Sequence, residues 1–329
     1  MTAASTPLSS LSPPDGAGQP WAIEADGLVK EFDAWRAVDG LDLKVASGRI
    51  FGILGPNGAG KTTTLRMLLG IIRPDAGRSR LLGHDDPLSI ASQVGYLPEE
   101  RGLYPSMKAA DAIAFMGALR GLPLAEGRRR ARELMENYGL GHAVGRQIRA
   151  LSKGMAQTVQ LLGTIVHRPR LIILDEPFSG LDALNQQKLE ELIRAQVAQG
   201  VTVIFSTHVI AHAERLCEEI AIIVGGRVAF SGSVEEARNR LRPRVRLETR
   251  ARDGAWRAAL PSDARSDGRY WHFELPESGV ESLLKRLIEG EAGIETLSIE
   301  RPGLHDAFVA IAGRTAADSL LASRPEEDR

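Results

Sequence analysis

The eight residues "GPNGAGKT", Gly55–Thr62, fit the pattern G-x-x-x-x-G-K-[ST]. Glycines at these positions let the backbone curl around phosphate groups, so that successive N–H groups donate to them. In this pattern Lys61 reaches the β- and γ-phosphates and Thr62 holds Mg²⁺. Gly55, Pro56, Asn57, Gly58, Ala59, Gly60, Lys61, Thr62 and Thr63 are therefore the candidate phosphate-binding residues. A Gly-rich surface turn is the plainer alternative. The flanks argue against it: "RIFGILG" reads as an apolar strand that stops at Gly55, and "KTTTLRMLLG" as a helix closed by Gly70. The loop alone shows a nucleotide-phosphate site, not a type of NTPase.

"LIILDEP" supplies acidic partners. Four apolar residues place Asp175 at the C-terminal end of a buried strand, where ligands gather in open α/β sheets. Asp175 would support Mg²⁺, and the adjacent Glu176 suits a base that orients an attacking water. A strand ending in an acidic turn is the bland reading. A third segment, "LSKGMAQ", places Ser, Lys and Gly where a helix begins, which is the chemistry of a second phosphate-facing helix N-terminus. Its bland reading is a plain N-cap at Ser152.

His208 and His212 form an H-x-x-x-H pair with Cys217 nearby, and positions i and i+4 share a helix face, as zinc ligands do. The Glu that follows the first His in zinc proteases is Val209 here, which argues against zinc. His212 reads as a polar helix position, Cys217 as buried and inert, and the "RRR" at 128–130 as a solvated helix face.

Elements must position these groups. "WAIEADGLVKEF" and "LDLKV" alternate like strands, and "SQVGYLP", "RLIILDE", "VTVIFST" and "IAIIVGGRVAFSG" supply further strands. From about Ser106 to His167 the periodicity turns helical, which predicts a helical insert. "LNQQKLEELIRAQVAQG" places Leu189, Leu192, Ile193 and Val197 on one helix face. Strands alternating with helices predict an α/β core with a largely parallel sheet. The Arg-rich "RNRLRPRVRLETR" marks a domain boundary. Beyond it, strands "RVRLETR", "RYWHFELP" and "IETLSIE", helix "GVESLLKRLIEG" and a helix capped at Gly313 predict a small α+β domain. The expected organisation is a disordered tail over 1–20, the α/β domain over 21–239, the α+β domain over 240–315 and a tail over 316–329.

The 329 residues are 43% hydrophobic and 25% charged with net charge -1, which fits a globular protein and not a general nucleic-acid binder. One cysteine excludes an intramolecular disulfide. No run approaches about 18 apolar residues, so no membrane-spanning helix is expected. The N-terminus, Ser-, Pro- and Gly-rich, lacks the basic and apolar regions of a secretory signal.

The order "GPNGAGKT", "LSKGMAQ", "LIILDEP", "SGLD", "STH" resembles the nucleotide-binding subunit of an ATP-binding cassette (ABC) transporter, over about Ile23 to Gly232. The motifs are specific together, not singly. The resemblance implies a P-loop NTPase fold with a helical subdomain, and two such domains packed head to tail. ATP would lie between the phosphate loop of one and the signature segment of the other, with Ser152 and Gly154 facing the partner's γ-phosphate. It further implies that Phe32 stacks on adenine, that Asp182 couples the two sites, and that His208 contacts the γ-phosphate beside Lys61 and Glu176. ATP and Mg²⁺ are the implied cofactors.

Several positions depart from the family pattern. Glu99 stands where a Gln usually touches Mg²⁺, and Lys153 where many relatives have Gly. Both, with "PEERGLY", resemble a branch of exporter ATPases. Ala156 and Thr158 replace polar and basic residues after the signature, and Ala183 replaces a common Pro. The C-terminal segment resembles the extra domain of the same branch, whose members serve a separately encoded integral membrane subunit of the ABC-2 type, including sodium and antibiotic exporters. The implied protein is an energy-coupling ATPase, peripheral on the cytoplasmic face of the membrane. It would act as a homodimer or with a related chain, and would pass motion to the permease through "PEERGLYPSM" and the helical insert. No nucleic acid is expected.

Two alternatives stay in view. A soluble cassette ATPase of DNA repair would carry a long heptad-bearing coiled coil before the signature, and the translation-factor type would carry two cassettes; neither is present. A catalytically inactive regulatory subunit is opposed by intact Lys61, Asp175, Glu176 and His208.

Overall fold

The computed structural model describes residues 21–33, 35–100, 102–251 and 253–322. The chain divides into two compact units at Gly232/Ser233, the second running to Arg314.

The first unit begins with two long strands, β1 (Trp21–Phe32) and β2 (Trp35–Ala46), followed by β3 (Ile50–Leu54) and helix α1 (Lys61–Leu68). Strand β4 (Ala76–Leu81) then pairs back onto β1, so that β2-β1-β4 form an antiparallel sheet. The sequence pattern gives no sign of β4, because its residues "AGRSRL" are mostly exposed and only Leu81 is fully buried. Next come β5 (Val94–Leu97) and the helices α2 (Ala109–Ala118), α3 (Leu124–Asn137) and α4 (Lys153–Ile165), which make up the expected helical insert. The unit closes with β6 (Leu171–Asp175), α5 (Ala183–Val197), β7 (Thr202–Thr207), α6 (Ile210–Leu216), β8 (Glu219–Val224) and β9 (Arg227–Ser233).

The central sheet has the order β5-β6-β7-β3-β8-β9. Neighbours from β5 to β8 run parallel, as predicted. Strands β3, β6 and β7 are buried along their whole length, which is why β3 and β6 read as continuous apolar runs and not as alternating ones, while β7 buries Thr202, Ser206 and Thr207 as well. Burying each large aliphatic side chain here contributes about 1.5–3 kcal/mol. Packing is close enough that a Cβ on Gly52 of β3 would come within 2.8 Å of Cys217 Sγ, so a larger residue there would push α6 off the sheet. On α5, Leu189, Leu192 and Ile193 are buried against the sheet, while Val197 is half-buried.

Register positions the chemistry. Leu54 of β3 pairs with Thr207 of β7, and Asp175 of β6 pairs with Ser206 of the same strand. The residues that follow these three strands, Gly55, Glu176 and His208, therefore emerge side by side at the C-terminal ends of neighbouring strands.

The second unit holds α7 (Val234–Arg238), β10 (Arg244–Thr249), the short β11 (Arg265–Ser266), β12 (Tyr270–Glu274), α8 (Gly279–Glu289), β13 (Ile294–Glu300) and the start of α9 (Leu304–Ala322). Its antiparallel sheet has the order β11-β12-β10-β13. Val245, Leu247 and Phe273 from one face of that sheet pack with Trp256 and with Leu283 and Leu287 of α8. Helix α9 runs through Gly313 and is not capped there, because the residues that follow it are mostly good helix formers. Residues 316–322, expected as part of a tail, are thus helical, whereas the remainder of that tail and the N-terminal one lie outside the described residues. Among the described residues no helix is long and apolar enough to cross a membrane.

Candidate active site

The loop from Gly55 to Gly60 is wedged between strands. A Cβ on Gly60, whose φ is 99°, would sit 2.4 Å from Ala37 O of β2, and one on Gly55 would sit 2.4 Å from Ile223 O of β8. No residue but glycine fits either place. Thr64 caps the turn by donating from Oγ1 to Gly60 O at 2.9 Å. The first N–H groups of α1 have no intrahelical acceptor and face the same cleft as the loop, which gives an anion several donors.

Lys61 is 6% exposed and folds over its own loop. Its Nζ donates to Gly55 O at 2.8 Å and to Pro56 O at 3.1 Å, and pairs with Glu176 Oε1 at 3.3 Å. Asp175, only 1% exposed, accepts through Oδ1 from Thr62 Oγ1 at 3.1 Å and from Ser206 Oγ at 2.6 Å. Its other oxygen, Oδ2, is buried with no hydrogen-bond partner. A buried carboxylate oxygen left without a donor is costly. Beside a hydroxyl and a phosphate loop, it is the donor set that a hard divalent cation takes.

Glu176 adopts a left-handed backbone, φ 46°, which a non-glycine residue holds only when its surroundings fix it. Ser206 does so: its Oγ accepts from Glu176 N at 3.0 Å while donating to Asp175. One buried hydroxyl thus orients both acidic residues. The Glu176 side chain points back into the cleft, with Oε2 3.0 Å from His208 Nδ1. Lys61, Thr62, Asp175, Glu176 and His208, five residues expected from sequence to act together, form one connected cluster.

A cleft of about 330 Å³ opens over this cluster, lined by Trp35, Asn57–Thr63, Glu99 and Glu176. Glu99, exposed, faces the loop from the far side. Phe32 is not among the lining residues; it is 41% exposed at the end of β1, with Lys30 Nζ 5.5 Å from its ring centroid. Trp35, its partner across the hairpin, lines the cleft instead.

Ser152, Gly154 and Asp182 form a separate group that does not line this cleft. Ser152 caps α4, its Oγ accepting from Met155 N at 3.2 Å, and Thr158 donates to Gly154 O at 3.0 Å. Asp182 caps α5 and accepts from Asn185 N at 2.9 Å, while Asn185 Nδ2 lies where a Cβ on Gly154 would approach within 2.7 Å. The side chain of Lys153 lies against Gly180, where a Cβ would meet its Nζ at 2.4 Å. The signature segment and the "SGLD" turn are therefore packed directly against each other.

His208 and His212 turn to different partners, Glu176 and Glu190, so they do not converge as a metal pair. Burial pushes the Cys217 thiol far above its usual range, which keeps it protonated. Of the three arginines of "RRR", Arg128 and Arg129 make exposed ion pairs, but Arg130 is half-buried and also donates to Val166 O at 3.1 Å. Sequence reasoning missed Ser206 and Trp35. A hydroxyl in the buried run "VTVIFST" was the signal for the first, and a second aromatic three residues after Phe32 for the second.

The sequence model of the family described as "ABC transporter" matches residues 38–179. The chain is 33% identical to the daunorubicin/doxorubicin resistance ATP-binding protein DrrA of Streptomyces peucetius, over 94% of this chain and 97% of that protein. It is 37% identical to the Nod factor export ATP-binding protein I of Ralstonia nicotianae, over 68% of this chain and 71% of that one. A solved ATP-binding subunit of an ABC transporter superposes with a TM-score of 0.62 at 31% identity, covering 67% of this chain and 92% of that structure.

Proposed function

The chain belongs to the ABC transporter family as one of its ATP-binding subunits, which hydrolyse ATP in step with transport, and from that membership we propose that it powers an exporter of the ABC-2 type. Similarity to a Nod factor export protein and to a drug-resistance protein supports the direction. Family members of this kind work with a membrane permease; the chain would join its permease as a peripheral subunit on the cytoplasmic face.

ATP is bound and split, in this reading, at a site that two cassettes share. One observation carries it: the signature block of Ser152, Gly154 and Asp182 is complete yet lies apart from the cleft of Lys61 and Glu176. A helix N-terminus capped by Ser152 favours an anion. A second copy, or a related chain, docked head to tail would present it to the γ-phosphate.

Lys61 exchanges its contacts with Gly55 O and Pro56 O for phosphate oxygens, and loop N–H groups hold the rest. Thr62 and Asp175, with Glu99 at the rim, would hold Mg²⁺, which screens the charge of the β- and γ-phosphates. Glu176 accepts a hydrogen bond from the attacking water and aligns it for in-line attack. His208, oriented through Nδ1 by Glu176, presents its other ring nitrogen to the γ-phosphate. Trp35 at the cleft wall supplies an aromatic surface for the base in addition to, or in place of, Phe32.

The permease assignment is tested by affinity capture. Tagged chain, expressed with its membranes and solubilised in mild detergent, should retain one integral subunit of about six apolar spans. Recovery of ribosomes or DNA in its place would support the soluble-cassette reading and overturn this one.

A further inference from the structure

His212 reads from sequence as a polar position on a helix, yet it is only 3% exposed. Its ring lies flat on Phe178, with centroids 3.9 Å apart and planes 9° apart. Phe178 meets Phe205 edge-on at 5.7 Å and 79°. These three rings join three segments behind the site. Phe178 belongs to the turn just after Glu176, Phe205 precedes Ser206 on β7, and His212 lies on α6, the helix that follows His208.

Polar contacts do not account for an imidazole here. Nδ1 of His212 lies 3.3 Å from Glu190 Oε1 and 3.0 Å from Arg215 Nη2. Arg215 already reaches the same Glu190 oxygen from Nε at 3.1 Å and from Nη2 at 2.6 Å. That pair is complete without the ring. What His212 alone provides is a flat face against Phe178.

The left-handed turn at Glu176 needs fixing from both sides. Ser206 holds its N–H. We propose that His212 is a positioning residue for ATP hydrolysis: its ring clamps Phe178, and through it the turn at Glu176, to the helix that continues from His208. The clamp keeps the contact between Glu176 and His208 at 3.0 Å. This inference rests on the reading of Glu176 and His208 as the hydrolytic pair. The requirement is for a planar ring, not for a titrating group.

Two variants of the full chain separate ring from polarity. His212→Phe keeps the flat face and loses Nδ1; His212→Gln keeps polar reach toward Glu190 and loses the face. His212→Phe should hold kcat within about threefold of the parent, while His212→Gln loses about tenfold or more in kcat with KM for ATP changed less than about threefold. Thermal stability of both is measured alongside, and the loss of kcat should follow the ring and not Tm. A His212→Gln protein with parental kcat would overturn the inference, as would a His212→Phe protein as impaired as His212→Gln. Glu176→Gln is the control. If it retains turnover, the hydrolytic pair is misassigned and this inference falls with it. If it is inactive while His212→Gln is unimpaired, only the inference about His212 falls.

Discussion

Lys61 Nζ and Glu176 Oε1 lie 3.3 Å apart with both side chains less than a tenth exposed. The lysine proposed to grip phosphate is thus also the cation paired with the carboxylate proposed to orient water. Removing either partner has unequal consequences. Lys61→Ala leaves a buried carboxylate with only His208, which costs about 3 kcal/mol or more of stability, and it should abolish ATP binding. Glu176→Gln leaves Lys61 its two carbonyl acceptors, so ATP binding should persist while turnover falls by about two orders of magnitude or more. Equilibrium binding and steady-state hydrolysis on the two proteins check this.

Ser206→Ala removes one hydroxyl, which strands the Glu176 N–H and takes one of two donors from Asp175 Oδ1. Each unsatisfied buried group costs about 1–3 kcal/mol. Thr62 remains on Asp175 Oδ1, so the larger loss falls on the turn at Glu176. We expect kcat to drop about tenfold with ATP affinity nearly unchanged, which stopped-flow separation of binding and hydrolysis would show.

Trp35 lines the cleft and Phe32 does not. Stacking on an aromatic contributes about 0.5–1.5 kcal/mol, so Trp35→Ala should weaken ATP binding by up to about tenfold, and Phe32→Ala less. Tryptophan fluorescence gives a direct readout. Nucleotide should change the emission of the parent, and the change should be lost in Trp35→Ala.

A second cleft, of about 240 Å³, lies among Leu103, Tyr104, Met107, Phe115, Met116 and Leu119. Tyr104 is 60% and Leu119 69% exposed beside the half-exposed Phe115, so the cleft has an apolar rim of the kind that a partner covers. It joins "PEERGLYPSM" to the helical insert, where the permease is proposed to dock. Phe115→Asp should leave ATP hydrolysis by the isolated chain unchanged and abolish recovery of the membrane subunit by affinity capture.

His167, just after α4, places Nε2 3.2 Å from Val94 O of β5, and burial pushes its pKa down to about 4. Above about pH 6.5 the ring is neutral whether the chain is folded or not, and has no effect. Between about pH 6.5 and 4 the unfolded chain takes up a proton that the folded chain refuses, so stability falls as pH is lowered through that window. His167→Gln should flatten the decline of Tm between about pH 7 and 5, measured by differential scanning calorimetry.

Much of the site is legible in sequence because its parts are local. The glycine-rich loop is a contiguous run, and the carboxylate proposed as catalytic follows directly on an apolar strand. The parallel core is legible for the same reason, since buried strands such as "LIILD" are unbroken apolar runs. What escapes is set by register and distance. Ser206 acquires its role only because β7 places it opposite Asp175 of β6, two residues before His208; a hydroxyl in the buried run "VTVIFST" is its one sequence signal, and that signal does not say which acid it meets. Strand β4 is held by backbone pairing to β1, so its polar side chains carry no periodic signal. The end of α9 is misjudged because Gly313 lies in open space, where glycine weakens a helix without stopping it.

The shared-site account is tested most directly by light scattering on the Glu176→Gln chain with and without ATP and Mg²⁺. We predict a monomer that doubles in mass only with nucleotide, and no doubling once Ser152 is also replaced by Trp, although ATP binding at Lys61 persists. A Glu176→Gln, Ser152→Trp protein that still dimerises with ATP would contradict the account, because the signature block could not then be facing the partner's nucleotide.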